Sequence, residues 1–249
     1  MHLRVSPWII SPAANLLIGL LGIATSGLTA RVLGPSDRGV LAAAMIWPSL
    51  VISLGAVVNT QSVAYFWAKA KVTGTCRTIW SASLIWSGLL TLILLPVSWM
   101  INWLALGEQA PVNLIASNIY AWMIPFSLLS ACLVPIFLAE ERFNIFWGIR
   151  IGSAVLYLVL LLVLYLAGLI SVINCVLVSL ASLIGTTIYA LVLYLKSFDW
   201  SFSWNPDVFK SMAVYGTKIN LSGFPYQLNV RLDQLLMSLL LPERVLGYY

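Results

Sequence analysis

Charge is nearly missing from this chain. Asp, Glu, Lys and Arg make up 8% of its 249 residues, while 61% are hydrophobic and the mean hydropathy is +0.98. A water-soluble domain of this size needs far more charge to cover its surface, so the composition excludes one and points to an integral membrane protein. Histidine is almost absent as well. The single copy is His2, which excludes histidine-based metal, acid–base and triad chemistry. Cysteine is scarce: Cys76, Cys132 and Cys175 lie apart in apolar segments with no Cys-x-x-Cys pair. An odd, dispersed set is packing material rather than a disulfide framework or a metal site. No pattern calls for a cofactor. The net charge of +5 is spread among short loops, which gives no nucleic-acid footprint and leaves the basic residues to report topology.

What remains is apolar length. About 20 helical residues cross the hydrocarbon, which places spans at 8–33, 40–67, 79–104 and 112–138. Residues 151–195 carry no charge over 45 residues, or roughly 67 Å of helix against a core of about 30 Å, so they fold back near Gly168 as two spans. A seventh runs over 216–241. Met1-His2-Leu3-Arg4 has the look of a signal n-region, but the apolar run after it is too long and lacks a small-residue cleavage site, so it reads as a retained first span.

On the N-terminal side stand Arg4, Lys69, Lys71, Arg77, Arg142, Arg150, Lys196, Lys210 and Lys218; the other side holds only Arg31, Arg38 and Arg244. This bias places the N-terminus in the cytoplasm. Trp8, Trp67, Trp80, Trp103 and Trp147 fall near span ends, where indole forms interfacial belts. Asn205-Pro206-Asp207 supplies an N-cap, a first-turn proline and a first-turn acid. Val208, Met212 and Tyr215 follow at helical spacing, predicting a short amphipathic helix on the cytoplasmic surface. The expected architecture is an all-α integral membrane bundle of about seven transmembrane helices. A six-helix lobe occupies 1–196, an amphipathic linker 197–215, and the first helix of a truncated second lobe 216–249.

The seventh span carries the sharpest local anomaly. Arg231 and Asp233 lie inside an insertable helix, where each costs roughly 2.5–3.5 kcal/mol at the bilayer centre. Such residues face a bundle interior or a wet cavity. Asn220, Gln227, Arg231, Gln234 and Ser238 form one helical stripe, and Asn15, Gly19, Gly22, Ser26 and Thr29 form another in the first span. Each stripe fits either a helix-packing interface or a cavity wall, and Arg231 weights that of the seventh span toward the cavity. Asp233 projects from nearly the opposite side, as a cation or proton site or as the partner of a neighbouring basic residue. The exits also match. Leu33-Gly34-Pro35-Ser36-Asp37-Arg38-Gly39 and Leu241-Pro242-Glu243-Arg244-Val245-Leu246-Gly247 each pass through proline, an acid–arginine pair and glycine, as parallel internal repeats do.

Thr29-Ala30-Arg31-Val32-Leu33-Gly34-Pro35 with Arg38-Gly39, Phe137-Leu138-Ala139-Glu140-Glu141-Arg142-Phe143, and Asn229-Val230-Arg231-Leu232-Asp233-Gln234-Leu235-Leu236 with Val245-Leu246-Gly247-Tyr248-Tyr249 resemble bacterial polysaccharide flippases. These are the O-antigen and capsule branch of the MOP exporter superfamily, in which glycine and glutamine are commoner around Glu140-Glu141. The resemblance implies two six-helix lobes around an alternating central cavity in the inner membrane. It also implies a polyprenyl-diphosphate-linked oligosaccharide as substrate, with membrane lipid and other polysaccharide-assembly proteins as partners. By that resemblance Arg31 and Arg231 meet the charged headgroup, Arg38 stands at the outer mouth, and Asn15, Gln227 and Gln234 meet sugar hydroxyls. Family members continue for about five more spans, so an inactive truncated fragment is one alternative. A MATE-type cation exporter is another, although no acid lies mid-span in the first six helices. A membrane enzyme of lipid-linked sugar metabolism is a third, although only Glu140-Glu141 pairs acids. The topology has a direct check: a reporter fused after Lys71 is expected to behave as cytoplasmic, and periplasmic activity there overturns the orientation.

Overall fold

The computed structural model describes residues 7–107, 110–198, 201–240 and 243–248, and among them every regular element is a helix. The elements are α1 (Pro7–Thr73), α2 (Cys76–Leu106), α3 (Pro111–Ala121), α4 (Met123–Ala139), α5 (Phe143–Leu166), α6 (Val172–Ser197), α7 (Pro206–Leu240) and α8 (Glu243–Tyr248). Arg4, Leu241 and Pro242 lie outside the described residues. Hydrocarbon offers no hydrogen bonds, so each apolar run closes its backbone bonds within a helix. Five helices are long and apolar enough to cross a membrane, with mean hydropathy of 2.0 to 2.3. α7 has the length, but its polar and charged residues keep it out of that set.

α1 is two legs. At Gly34 the backbone takes φ 71° and ψ 176°, a region open essentially to glycine alone. The chain doubles back there into the second leg, as the Gly34-Pro35 turn signal requires. α3 and α4 form one span, Pro111–Ala139, broken at Trp122. Pro125 lacks the N–H that the Ala121 carbonyl would otherwise receive. The fold-back between α5 and α6 falls at Gly168, with φ 67°. There Ser171 caps α6 by accepting the Asn174 N–H at 3.2 Å. Glu141, between α4 and α5, takes φ 57°. This left-handed position costs a side chain roughly 1–2 kcal/mol and gives the glycine of the resembling sequences a physical reason.

Two expectations change. The amphipathic segment and the seventh span form one continuous helix, α7, despite Pro225. The predicted cap is present, with Asn205 Oδ1 accepting the N–H groups of Asp207 (2.9 Å) and Val208 (3.3 Å). The apolar stripe, however, packs on the bundle: Met212 is buried, and Val208 and Phe209 lie against the largest core cluster. The aromatic belt is also corrected. Trp67, Trp80 and Trp147 are buried while Trp103 is exposed, because bundle packing rather than the interface takes up their rings. Trp80 stacks on Tyr194 at 4.2 Å. The Trp67 indole N–H donates to Glu140 at 2.8 Å, and Lys71 pairs with that carboxylate at 3.3 Å. The side chain of Trp8 lies outside the described residues.

Small residues let the helices close up. Buried Asn59 on α1 donates to Ser87 of α2 at 2.9 Å and to the Leu128 carbonyl of α4 at 3.3 Å. α7 is seated on the second leg of α1: Ser62 Oγ donates to the Met212 carbonyl at 3.2 Å and Tyr65 stacks on Tyr215 at 4.7 Å. Gly216 makes this seat possible. A Cβ there would collide with Ser62 Oγ and lie 2.6 Å from Val58 Cγ1. α8 sits on the α1 bend in the same way, since a Cβ on Gly247 would collide with the Pro35 carbonyl oxygen. Gly216→Val is therefore expected to destabilise the bundle by ~1–3 kcal/mol, seen as a lower melting temperature of the purified protein; an unchanged melting temperature contradicts the seat.

Candidate functional site

The second leg of α1 presents Arg38, Ala42, Met45 and Ser49 at spacings of four, three and four, one helical stripe. α7 presents Val230, Arg231 and Gln234 opposite, Tyr120 of α3 closes one side, and Leu246 of α8 closes an end. Together these line a cavity of about 520 Å³. A volume of that order holds a drug-sized or headgroup-sized ligand.

Each polar group has an identifiable support. Arg231 is half-buried and donates from Nη1 to Ser49 Oγ, which ties α7 to α1 across the cavity. Ser49 Oγ in turn donates to the Ile46 carbonyl at 2.8 Å, so its lone pairs are what the guanidinium meets. Arg38 reaches back over the Gly34 bend and donates to the Ser26 carbonyl at 3.2 Å. Among the described residues, two guanidiniums line the cavity and no carboxylate does. In a low-dielectric setting this makes the space electropositive and suited to a multiply charged anion.

Three sequence-predicted residues, Arg231, Arg38 and Gln234, thus come together. Arg31 and Asn15 do not: both are exposed on the first leg of α1 and neither lines the cavity. The same leg leaves open space beside Gly19 and Gly22, so the N-terminal part of that stripe is open while its far end, at Thr29, is buried. Asp233 lies away from the lining and accepts the Gln234 N–H at 2.8 Å. The side chains of Gln227 and Arg244 lie outside the described residues. Sequence reasoning missed Ser49 and Tyr120. Both had a signal: Ser49 continues the stripe from Arg38, and Tyr120 follows Asn113 and Ser117 at spacings of four and three.

Solvent access is the test of this geometry. A cysteine at 234 or 231 is expected to react with a water-soluble thiol reagent in membranes, and one at buried Leu128 is not. Failure of both cavity positions to react under any condition removes the wet cavity.

Residues 28–249 match the protein family described as "Polysaccharide biosynthesis protein". No curated protein matches the chain. Among solved structures it is similar to an inward-facing multidrug resistance MATE transporter of the MOP superfamily, with a TM-score of 0.68 at 18% identity over 93% of this chain and 55% of that one. An outward-facing MATE structure gives 0.57 at 18% identity, over 88% of this chain and 50% of that one. A MOP superfamily transporter from Pyrococcus furiosus, described as having a binding pocket of reversed polarity, gives 0.58 at 18% identity over 97% and 60%. The chain therefore spans between half and three fifths of the length of these structures. With the family match over most of its length, the chain belongs to the polysaccharide biosynthesis protein family, and its fold is that of the MOP superfamily structures it resembles.

Proposed function

We propose that the protein is a flippase for a polyprenyl-diphosphate-linked oligosaccharide, carrying it across the cytoplasmic membrane by alternating access during O-antigen or capsule synthesis. The observation that carries this reading is the pairing of Arg38 and Arg231 in a cavity whose described lining residues include no carboxylate. A diphosphate brings several negative charges, which are expensive to move through hydrocarbon and best met by fixed cations that release it as the cavity reopens. Gln234, Ser49 and Tyr120 supply neutral donors and acceptors suited to sugar hydroxyls, while the prenyl tail stays in lipid. The same electropositive lining speaks against a cationic substrate, and hence against a MATE-type exporter. Nothing in the cavity resembles a nucleophile with its base, so transport rather than group transfer fits it.

In this reading 1–196 forms a first lobe, 197–215 the connection and 216–249 the start of a second. The membrane is the inner one, the N-terminus is cytoplasmic, and Arg38 stands toward the outer face. Lipid-linked oligosaccharide, membrane lipid and other polysaccharide-assembly proteins are the partners. Asn15 and Arg31, exposed on the first leg of α1, are candidates to meet substrate from a facing lobe, with Gln227 on the opposing stripe.

The native gene is expected to restore surface polysaccharide to a strain lacking its O-antigen or capsule flippase. Arg231→Ala, at equal expression, is expected to lower rescue by about tenfold or more, the scale of one lost charge-assisted hydrogen bond. Full rescue by that variant overturns the assignment.

A further inference from the structure

A second cleft, of about 510 Å³, lies inside the bundle and shares no lining residue with the first. Its single charge is Arg150 on α5, about two turns in from the helix start at Phe143. The guanidinium is packed on aromatic rings, 4.9 Å from the Trp147 centroid and 5.6 Å from that of Phe146. No carboxylate lines the cleft, and among the described residues none pairs with Arg150.

Hydroxyls converge on the same space from four elements. Most serine and threonine side chains in these helices donate to a carbonyl of their own helix, as Ser49, Ser53 and Ser179 do. Thr60 of α1, Ser130 of α4 and Ser153 of α5 line the cleft and make no such bond among the described residues. Each is free to donate or accept. Ser127 and Thr186 also line it, but they donate to Ile124 and to Ser182, which leaves only their lone pairs for a ligand.

This inventory selects a ligand. A cation would meet Arg150. An apolar molecule would strand three uncommitted hydroxyls, and a bare inorganic anion would leave the acceptors of Ser127 and Thr186 unmet. A phosphate with attached hydroxyls satisfies both sets, its oxygens on Arg150 and its hydroxyls on the serines and threonines. We propose that this cleft is a binding site for a phosphorylated polyol, distinct from the substrate cavity. Such a group arises as a phosphoglycerol lipid headgroup or as a free sugar or glycerol phosphate.

The test is native mass spectrometry of the intact protein released from phosphatidylcholine nanodiscs, with phosphatidylglycerol added in one arm and sn-glycerol 3-phosphate in the other. Retention of either ligand roughly tenfold above Arg150→Gln is expected. The phosphatidylglycerol arm alone identifies a lipid headgroup, and the soluble arm identifies a free phosphate ester. Ser130→Ala with Ser153→Ala, which keeps the charge and the fold, is expected to lower retention several-fold, while Lys210→Gln, an exposed cation elsewhere, leaves it unchanged. Retention by Arg150→Gln equal to wild type overturns the site. So does full retention by the double serine variant, which would reduce it to an ordinary arginine–phosphate contact at the membrane surface.

Discussion

Everything in this chain answers to the absence of water in hydrocarbon. A backbone group left open there costs several kcal/mol, so the chain is helix wherever it is apolar. Among the described residues, departures from helix between and within the apolar runs include Gly34, Gly74, Trp122, Glu141 and Gly168, sites of glycine, proline neighbourhood or positive φ. The same constraint sets the polar groups. Asn59 is buried because Ser87 and the Leu128 carbonyl receive its two N–H groups. Arg231 is tolerated because Ser49 receives one of its own. Side chains that would be mere solubilising surface in water become fasteners between helices here.

That economy makes the uncommitted polar groups informative. Where a helix is fastened, hydroxyls are spent on its own carbonyls. Around Arg150 hydroxyls are left over, and around both Arg150 and the Arg38–Arg231 pair the bundle has kept space and positive charge together. Among the described residues no carboxylate lines either space: Glu140 is held by Trp67 and Lys71, and Asp233 accepts a backbone N–H of its own helix. Segregation of sign, more than any one residue, gives the molecule its selectivity for anions in the proposed role.

Much of this was legible in the residues. Apolar length marked the membrane helices, glycine and proline marked the bend at Gly34 and the fold-back at Gly168, and Asn205-Pro206-Asp207 marked a helix start. Arg231 announced a cavity by its cost alone. What periodicity does not encode is the object a stripe faces. The stripes of Asn15 and of Arg231 read alike, yet Asn15, Gly19 and Gly22 face open space and Arg231 faces Ser49. Indole rings at span ends read as an interfacial belt, but three of them are buried, Trp67 and Trp80 against Tyr194 of α6 and Trp147 against Phe146. The continuity of α7 was hidden for a similar reason. A change from polar to apolar composition looks like a boundary, while the backbone passes through it without interruption.

The contact of α8 with the α1 bend has a consequence for how the molecule is made. Pro35 and Gly247 must meet with no side chain between them, yet one is synthesised long before the other. At 5–20 residues per second, a ribosome takes roughly 10–40 s to travel that far. During that interval the Arg38–Ser49 face of α1 stands in the membrane before the α7 wall exists. The cavity is therefore completed only once α7 and α8 have been made, and the insertion machinery must shelter a half-built polar face until they arrive to cover it.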